Sequence, residues 1–519
     1  MPEKSIALIG VLEYGEFPEM LRGADVVRRA LGCEVVVFFT KRVYTRLVED
    51  TQAVIDHGHR WMDWRGEIHD APAAPSHSVR GMESTEVSEG VEPVLFSRKP
   101  SRRGVLAVLI AAAAPWTVLQ KAGAGAVSGA KAAVADIVNL VADYRRFRAR
   151  AQIMSDVLQH TAPKLVIVGQ DPVGSDLAFL LHRARKHHIP TLILPFAMFN
   201  LKEIAEYAAQ RSDHHARGAL ARIVATLVPQ WSVAYRGLRL LRLSAPRAAA
   251  LELAGLVDGP PWLPCGSSGS VIACDSAVAR DEFIRMGVDG EQPMVVGAPV
   301  HDRLFAILSE GAEGRQRFLQ AWQMREGRPL LVCGWPANIF PWLGGRPIAF
   351  PDYAAVARLW AEILAQMCAQ HDINVLVSAH PKTSDDELEA ARMAGLAVVR
   401  GETERMIAHC DLFTTLNGSS ITAWAIACGK PVVLFDCFET GYREFLGLPG
   451  VEMTYSADAF REELALLCRD EPARRRLALA QQKVAPAWGV LDGKAEQRLG
   501  ALMRALASAD AAVNHRAAA

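Results

Sequence analysis

Pro329-Leu-Leu-Val-Cys333, a helical stretch over residues 353–371, and Asn374-Val-Leu-Val-Ser378 read as strand, helix and strand, the repeating unit of a parallel sheet. The rhythm continues downstream, where Leu396-Ala-Val-Val399, Leu412-Phe-Thr414 and Pro431-Val-Val-Leu-Phe435 alternate with helical segments. Upstream, Ser270-Val-Ile-Ala-Cys274 leads into a helix over 276–286, a strand at 294–296 and a helix from Val300. Crossovers of this kind are almost always right-handed. The chain also begins this way: Ser5-Ile-Ala-Leu-Ile-Gly10, a helix over 21–30, then Cys33-Glu-Val-Val-Val-Phe-Phe39. Lys164-Leu-Val-Ile-Val-Gly169, a helix over 175–188 and Pro190-Thr-Leu-Ile-Leu-Pro195 form a further βαβ unit. The fold class is therefore α/β, and 519 residues suit two domains of roughly 100–200 residues each with additions.

Other stretches divide the chain. Residues 70–103, rich in Pro, Ser, Glu and Gly, read as a long surface loop, and the apolar run 104–116 is too short to span a bilayer. Residues 202–256 read as a helical insertion in the N-terminal half. Arg211, Arg217, Arg222, Arg236, Arg239, Arg242 and Arg247 lie in it among Leu, Val and Trp231, so one face could rest on an anionic membrane surface or pack on the N-terminal domain. The Gly/Pro/Ser-rich stretch 258–269 is the best linker. The expected division is 1–269, 270–490 and a final segment, 491–519, whose helix opens at Asp492-Gly-Lys-Ala495.

Lys plus Arg equals Asp plus Glu at 57 each, so no global field favours nucleic acid and an anionic ligand must be met locally. Nine scattered cysteines without CxxC spacing point to a reduced cytoplasm and no structural zinc. The start lacks the basic, apolar and small-residue pattern of an export signal.

Ligands of open α/β sheets sit beyond the carboxyl ends of the strands. There, Ser378-Ala-His380-Pro381-Lys382 offers an imidazole and a cation. Leu416-Asn417-Gly418-Ser419-Ser420-Ile-Thr422 offers a tight turn in which Ser419 or Ser420 would cap a helix and present its N–H groups to phosphate. Gly297 and Gly334-Trp335 would let backbone approach a donor, and Glu402 and Glu404 would accept from ribose hydroxyls. In the N-terminal half, Glu13 is the first candidate for a base that deprotonates an acceptor hydroxyl, with Asp171 second. Each has a plainer reading, as a helix cap or an ordinary loop residue.

The series Val296-Gly-Ala-Pro-Val-His-Asp302, Ala379-His-Pro381, Asn417-Gly-Ser-Ser420 and Gly429-Lys-Pro-Val-Val433 resembles the C-terminal domain of GT-B glycosyltransferases. The nearest likeness is to bacterial sialyltransferases and polysialyltransferases, with their HP and SS motifs, and to glycerophosphotransferases that use CDP-glycerol. The resemblance covers roughly 270–508. It implies two Rossmann-like domains facing a central cleft, a last helix crossing back to the first domain, a His380 that contacts cytidine monophosphate and a serine pair, Ser419 and Ser420, that holds its phosphate. Glu13-Tyr-Gly15 matches only in part the acidic-acidic-Gly signature that carries the base in sialyltransferases. The implied function is inverting, metal-independent transfer of a sugar from a nucleotide-activated, CMP-linked donor to a cell-surface glycan or lipid-linked acceptor. No cofactor is expected, the location is cytoplasmic, and peripheral contact with the inner membrane surface and a homo-oligomer remain open.

The same pattern is similar to UDP-N-acetylglucosamine 2-epimerases, although Gly334-Trp-Pro-Ala-Asn338 stands where that family has a His-Arg-rich loop, and Pro195-Phe-Ala-Met198 where it has a glutamate-containing one. A nucleotide-binding scaffold in polysaccharide assembly, without chemistry, is the reading from a different class.

Overall fold

The computed structural model describes residues 5–12, 16–40, 47–73, 124–196, 198–199, 201–266, 268–343, 348–380 and 382–517. In the first half, β1 (Ile6–Val11), β2 (Glu34–Phe39), β3 (Arg60–Met62), β4 (Ile68–His69), β5 (Leu165–Val168) and β6 (Thr191–Ile193) precede an antiparallel hairpin of β7 (Ser232–Tyr235) and β8 (Leu238–Leu241), and β9 (Val271–Cys274) and β10 (Pro293–Val295) follow. Eight of these form one sheet in the order β10-β9-β6-β5-β1-β2-β3-β4, parallel except for the β3–β4 pair. The second half contributes β11 (Leu330–Gly334), β12 (Asn374–Ala379), β13 (Ala397–Arg400), β14 (Leu412–Leu416), β15 (Val432–Phe435) and β16 (Val451–Thr454), all parallel, in the order β13-β12-β11-β14-β15-β16. Counted within its half, the second sheet runs 3-2-1-4-5-6, the doubly wound order, and the first, leaving aside its antiparallel edge strand β4, runs 3-2-1-4-5-6-7, with switch points between β11 and β14 and between β1 and β5. Helices cover both faces, which is why β5 and β11 are buried at every position and spelled in unbroken apolar runs.

This is the expected α/β architecture of two Rossmann-like halves, with three corrections. First, β9 and β10 pair into the first sheet, Leu192 and Ile193 of β6 lying beside Val271 and Ile272, so the change of sheet comes after Val295, not at 269. Second, the stretch 258–269 is therefore no linker between halves. Gly266 and Ser268 in it are pinned by Asp171, whose carboxylate accepts from the Gly266 amide at 2.8 Å and the Ser268 amide at 2.9 Å. Third, the insertion is helical at Leu201–Gln210, Ala219–Leu227 and Ala245–Ala254 but carries the β7–β8 hairpin between them. That hairpin turns on Arg236 (φ 45°) and Gly237 (φ 75°), the left-handed pair of a tight two-residue turn.

Three arginines of this insertion have partners of their own. Arg211 pairs with Asp213, Arg236 with Glu206, and Arg247 lies over the Phe147 ring. Among the described residues no helix is long and apolar enough to cross a membrane. The long loop beyond residue 73 and the apolar run 104–116 lie outside the described residues.

The last helix, Ala495–Ala517, crosses back to the first half: Leu499 and Met503 are fully buried among Val26, Val27 and Ala24 of the helix Phe17–Leu31, and Glu496 pairs with Arg29 at 2.6 Å. Its start is capped by Asp302, whose two carboxylate oxygens accept from the Ala495 and Glu496 amides at 2.8 and 2.9 Å.

Candidate functional site

The loop after β14 stands at the switch point of the second sheet, where a doubly wound fold leaves its crevice. Gly418 holds φ 90° there, and a Cβ at that position would lie 2.7 Å from the Tyr442 ring, so the residue is glycine for both backbone and packing reasons. Buried Asn417 ties the turn down, its side-chain amide donating to the Tyr442 carbonyl at 3.1 Å. Ser420 is exposed and Ser419 half-buried, and neither hydroxyl has a hydrogen bond among the described residues. The expected serine cap is not formed: the short helix Thr422–Ala427 starts after Ile421 without a side-chain cap. The serines instead present free hydroxyls. Thr422 is fully buried beneath them, its Oγ1 without a partner.

Gly334 closes the other side of the switch point, where an added Cβ would meet Ile421 and Thr415 at 2.9 Å. It brings the β11 end against the serine loop and is itself buried. Trp335 is a core residue, 4% exposed, with its indole N–H donating to the Glu387 carbonyl. Gly297, at φ 81°, is buried against Ala495 and Arg498 of the crossing helix, a packing position away from the serine loop.

His380 lies at the end of β12, two strands from the serine loop, a lateral offset of about 10 Å at the usual strand spacing. Its Nδ1 accepts from the Lys382 amide at 3.0 Å, so the neutral ring carries its proton on Nε2 and offers a donor outward. Desolvation by the surrounding loop, with the Lys382 ammonium nearby, holds the imidazole below its ordinary value. Pro381 and Glu13 lie outside the described residues.

The carboxylates are where structure and expectation part most. Asp171 has no exposed surface and both oxygens accept backbone amides, a loop-holding role with no face for an acceptor. Glu404 accepts from Arg22 of the first half at 2.8 Å and has Arg303 at 3.5 Å, so it links the halves by an ion pair. Glu203, in the first turn of the helix Leu201–Gln210, accepts instead from the Tyr442 hydroxyl of the second half at 2.6 Å. Burial raises its pKa, the Tyr442 hydrogen bond opposes the rise, and the Glu444 charge adds to it. Glu203, Met198 and Phe199 from the first half and Gly418, Ser420, Tyr442 and Glu444 from the second line one cavity. Met198 and Phe199 also line a second, largely apolar cavity whose wall includes Glu19, raised by burial, and Trp424.

No family model matches this chain, and no curated protein sequence matches it. Solved structures of similar shape include CalG4, the calicheamicin glycosyltransferase, at 14% identity and a TM-score of 0.48, over 98% of both chains. The UDP-GlcNAc 2-epimerase of Neisseria meningitidis bound to UDP-GlcNAc gives 10% and 0.44, over 95% of this chain and 97% of that one. A glycosyltransferase of Rickettsia africae gives 10% and 0.43, over 97% and 99%. At TM-scores below 0.5 these likenesses assign nothing to the chain, whose architecture rests on its own strand order.

The residues that sequence reasoning missed are Glu203, Glu19, Tyr442 and Glu444. Glu203 follows the loop after β6, and Tyr442 and Glu444 follow the loop after β15, so scanning strand ends a few residues further would have reached all three. Asp436 holds that last loop in shape, accepting from the Thr440 and Gly441 amides at 2.7 Å each.

Proposed function

We propose that the chain is a glycosyltransferase in which the second half holds a nucleotide-activated sugar and the first half supplies the base. The observation that carries this reading is the single cavity shared by Glu203 of one half and Gly418 and Ser420 of the other. A carboxyl with a raised pKa sits across from free hydroxyls at a sheet switch point, the arrangement that general-base transfer from a phosphate-linked donor needs.

In the step itself, an acceptor hydroxyl oxygen attacks the anomeric carbon while Glu203 takes its proton. The bond from that carbon to the phosphate oxygen breaks, and the electron pair leaves with the nucleotide. Attack opposite the leaving group inverts the carbon. Ser419 and Ser420 hydroxyls and the His380 Nε2–H donate to the departing phosphate, and Lys382 adds charge, so the developing charge is met by side chains without calling on a metal. Glu203 takes the place that Glu13 and Asp171 were expected to fill. A CMP-linked donor and a glycan or lipid-linked acceptor follow from the HP and SS resemblance.

Purified protein offered CMP-, CDP- and UDP-linked sugars tests this. Cytidine-linked donors are expected to be hydrolysed or transferred, and His380→Ala to abolish turnover while the protein stays folded. Conversion of free UDP-GlcNAc without an acceptor would replace transfer by epimerisation. Tight nucleotide binding with no turnover over many acceptors would leave a scaffold.

A further inference from the structure

Tyr442 also lines a separate open groove, together with Lys202, Arg236, Gly441, Arg443, Leu446 and Tyr455. Three of these side chains are cations and none is a carboxylate. Lys202 belongs to the first half and spans to the second, donating to the Gly441 carbonyl at 2.6 Å with its ammonium 5.7 Å from the centre of the Tyr442 ring. Arg236, at the tip of the β7–β8 hairpin, pairs with Glu206 at 3.2 Å, so part of its charge is met by a residue that does not line the groove. Arg443 is exposed and has no ion pair among the described residues. Beside it, Tyr455 is 61% exposed and Leu446 43%, an uncommon amount of ring and aliphatic surface left to water.

Exposed cations alone describe many solvated surfaces. Here they alternate with an exposed aromatic face and an apolar side chain in one concave strip, and that strip ends at the tyrosine holding Glu203. Tyr442 is the shared wall of the groove and of the cavity with Glu203 and Ser420. A sugar ring presents an apolar C–H face to an aromatic ring, and carboxylate or phosphate substituents on such a chain pair with guanidinium and ammonium groups.

We propose that this groove is the acceptor site and that it takes a saccharide chain bearing carboxylate or phosphate groups, its terminal hydroxyl passing Tyr442 to reach Glu203. The proposal rests on the transferase reading for the direction of that hydroxyl, and on the groove alone for the class of ligand.

Equilibrium binding with the full chain, which requires no turnover, keeps the two apart. The probes are fluorescently labelled trigalacturonate, its methyl ester, which has the same rings without charge, and tripolyphosphate as a competitor. Trigalacturonate is expected to bind, to weaken as salt shortens the screening length from about 10 Å at 0.1 M to about 3 Å at 1 M, to be displaced by tripolyphosphate and to exceed the methyl ester. Arg443→Ala should weaken it by about fivefold, the upper range for one exposed charge pair, and Tyr455→Ala should weaken the acid and the ester by the same factor. Both positions are exposed, and melting curves of the two variants are the control for folding. Equal binding of acid and ester, no binding of either, or binding to phosphatidylglycerol-containing vesicles in place of the saccharide would overturn the groove assignment whatever the donor assays give. Binding as expected without any sugar transfer would instead remove the transferase reading and leave the groove.

Discussion

Glu203→Gln separates the charge of the proposed base from its place in the fold. The amide has the same shape, and its oxygen still accepts from the Tyr442 hydroxyl, so the contact between the halves at 2.6 Å survives. Turnover is expected to fall by about 10²–10⁴, the usual contribution of a general base. Stability is expected to move the other way. Burial lifts the Glu203 carboxyl above its ordinary value, with Glu444 adding to the rise. Below the unfolded-state pKa of about 4.3 both states carry the proton and the group has no cost. As pH climbs toward the folded-state pKa, the unfolded chain releases a proton that the native state keeps, and the native state loses stability. Above it the penalty is constant, about 1.4 kcal/mol for each unit by which the pKa is raised. Glutamine carries none of this. Thermal melts of parent and variant at pH 4 and pH 8, beside transfer rates at pH 8, give the comparison: near-equal stability at pH 4, a more stable variant at pH 8, and little turnover. A variant as active as the parent, or one less stable than the parent at pH 8, would refute the reasoning.

Three further outcomes follow from neighbouring contacts. Gly418→Ala should destabilise by about 1–3 kcal/mol, because φ 90° disfavours a side chain and the new Cβ meets the Tyr442 ring at 2.7 Å. As Tyr442 is pushed off Glu203, the acid limb of the pH–rate profile should move to higher pH. The double change Ser419→Ala with Ser420→Ala should leave the melting temperature within experimental scatter, since neither hydroxyl has a protein partner among the described residues, yet weaken nucleotide binding in a thermal-shift titration. Arg22→Ala should cost about 3 kcal/mol in denaturant unfolding, the lower end for breaking a largely buried pair, because it leaves Glu19 and Glu404 close together with Arg303, 3.5 Å from Glu404, to offset their charge. Adding Glu404→Gln should return part of that loss.

The sequence was most legible where structure is local. Runs such as Leu165–Val168 can only be strands buried on both faces, and the turn at Gly418 is written in its own residues. Sheet membership is not local: β9 looks like any parallel strand, and only its pairing with β6 assigns it to the first half. The β7–β8 hairpin was hidden because leucines and arginines at 238–242 suit a helix face as well as a strand, and the signal against a helix was the single turn residue Gly237.

The same distinction separates Asp171 from the acid proposed as the base. Asp171, read alone, is an acid after a strand at the first switch point; its character comes from the Gly266 and Ser268 amides, 95 and 97 residues away. Glu203 is one acid among many in a helical stretch; burial raises its pKa, and the hydrogen bond from a tyrosine 239 residues further along opposes that rise. A base that works between two halves must be poised by both. Glu203 and Glu404 each take a hydrogen bond from the opposite half, but Glu404 is engaged by a guanidinium at 2.8 Å. The neutral hydroxyl on Glu203 leaves its carboxyl free to gain and lose a proton, and only this one of the two lines the cavity with Ser420.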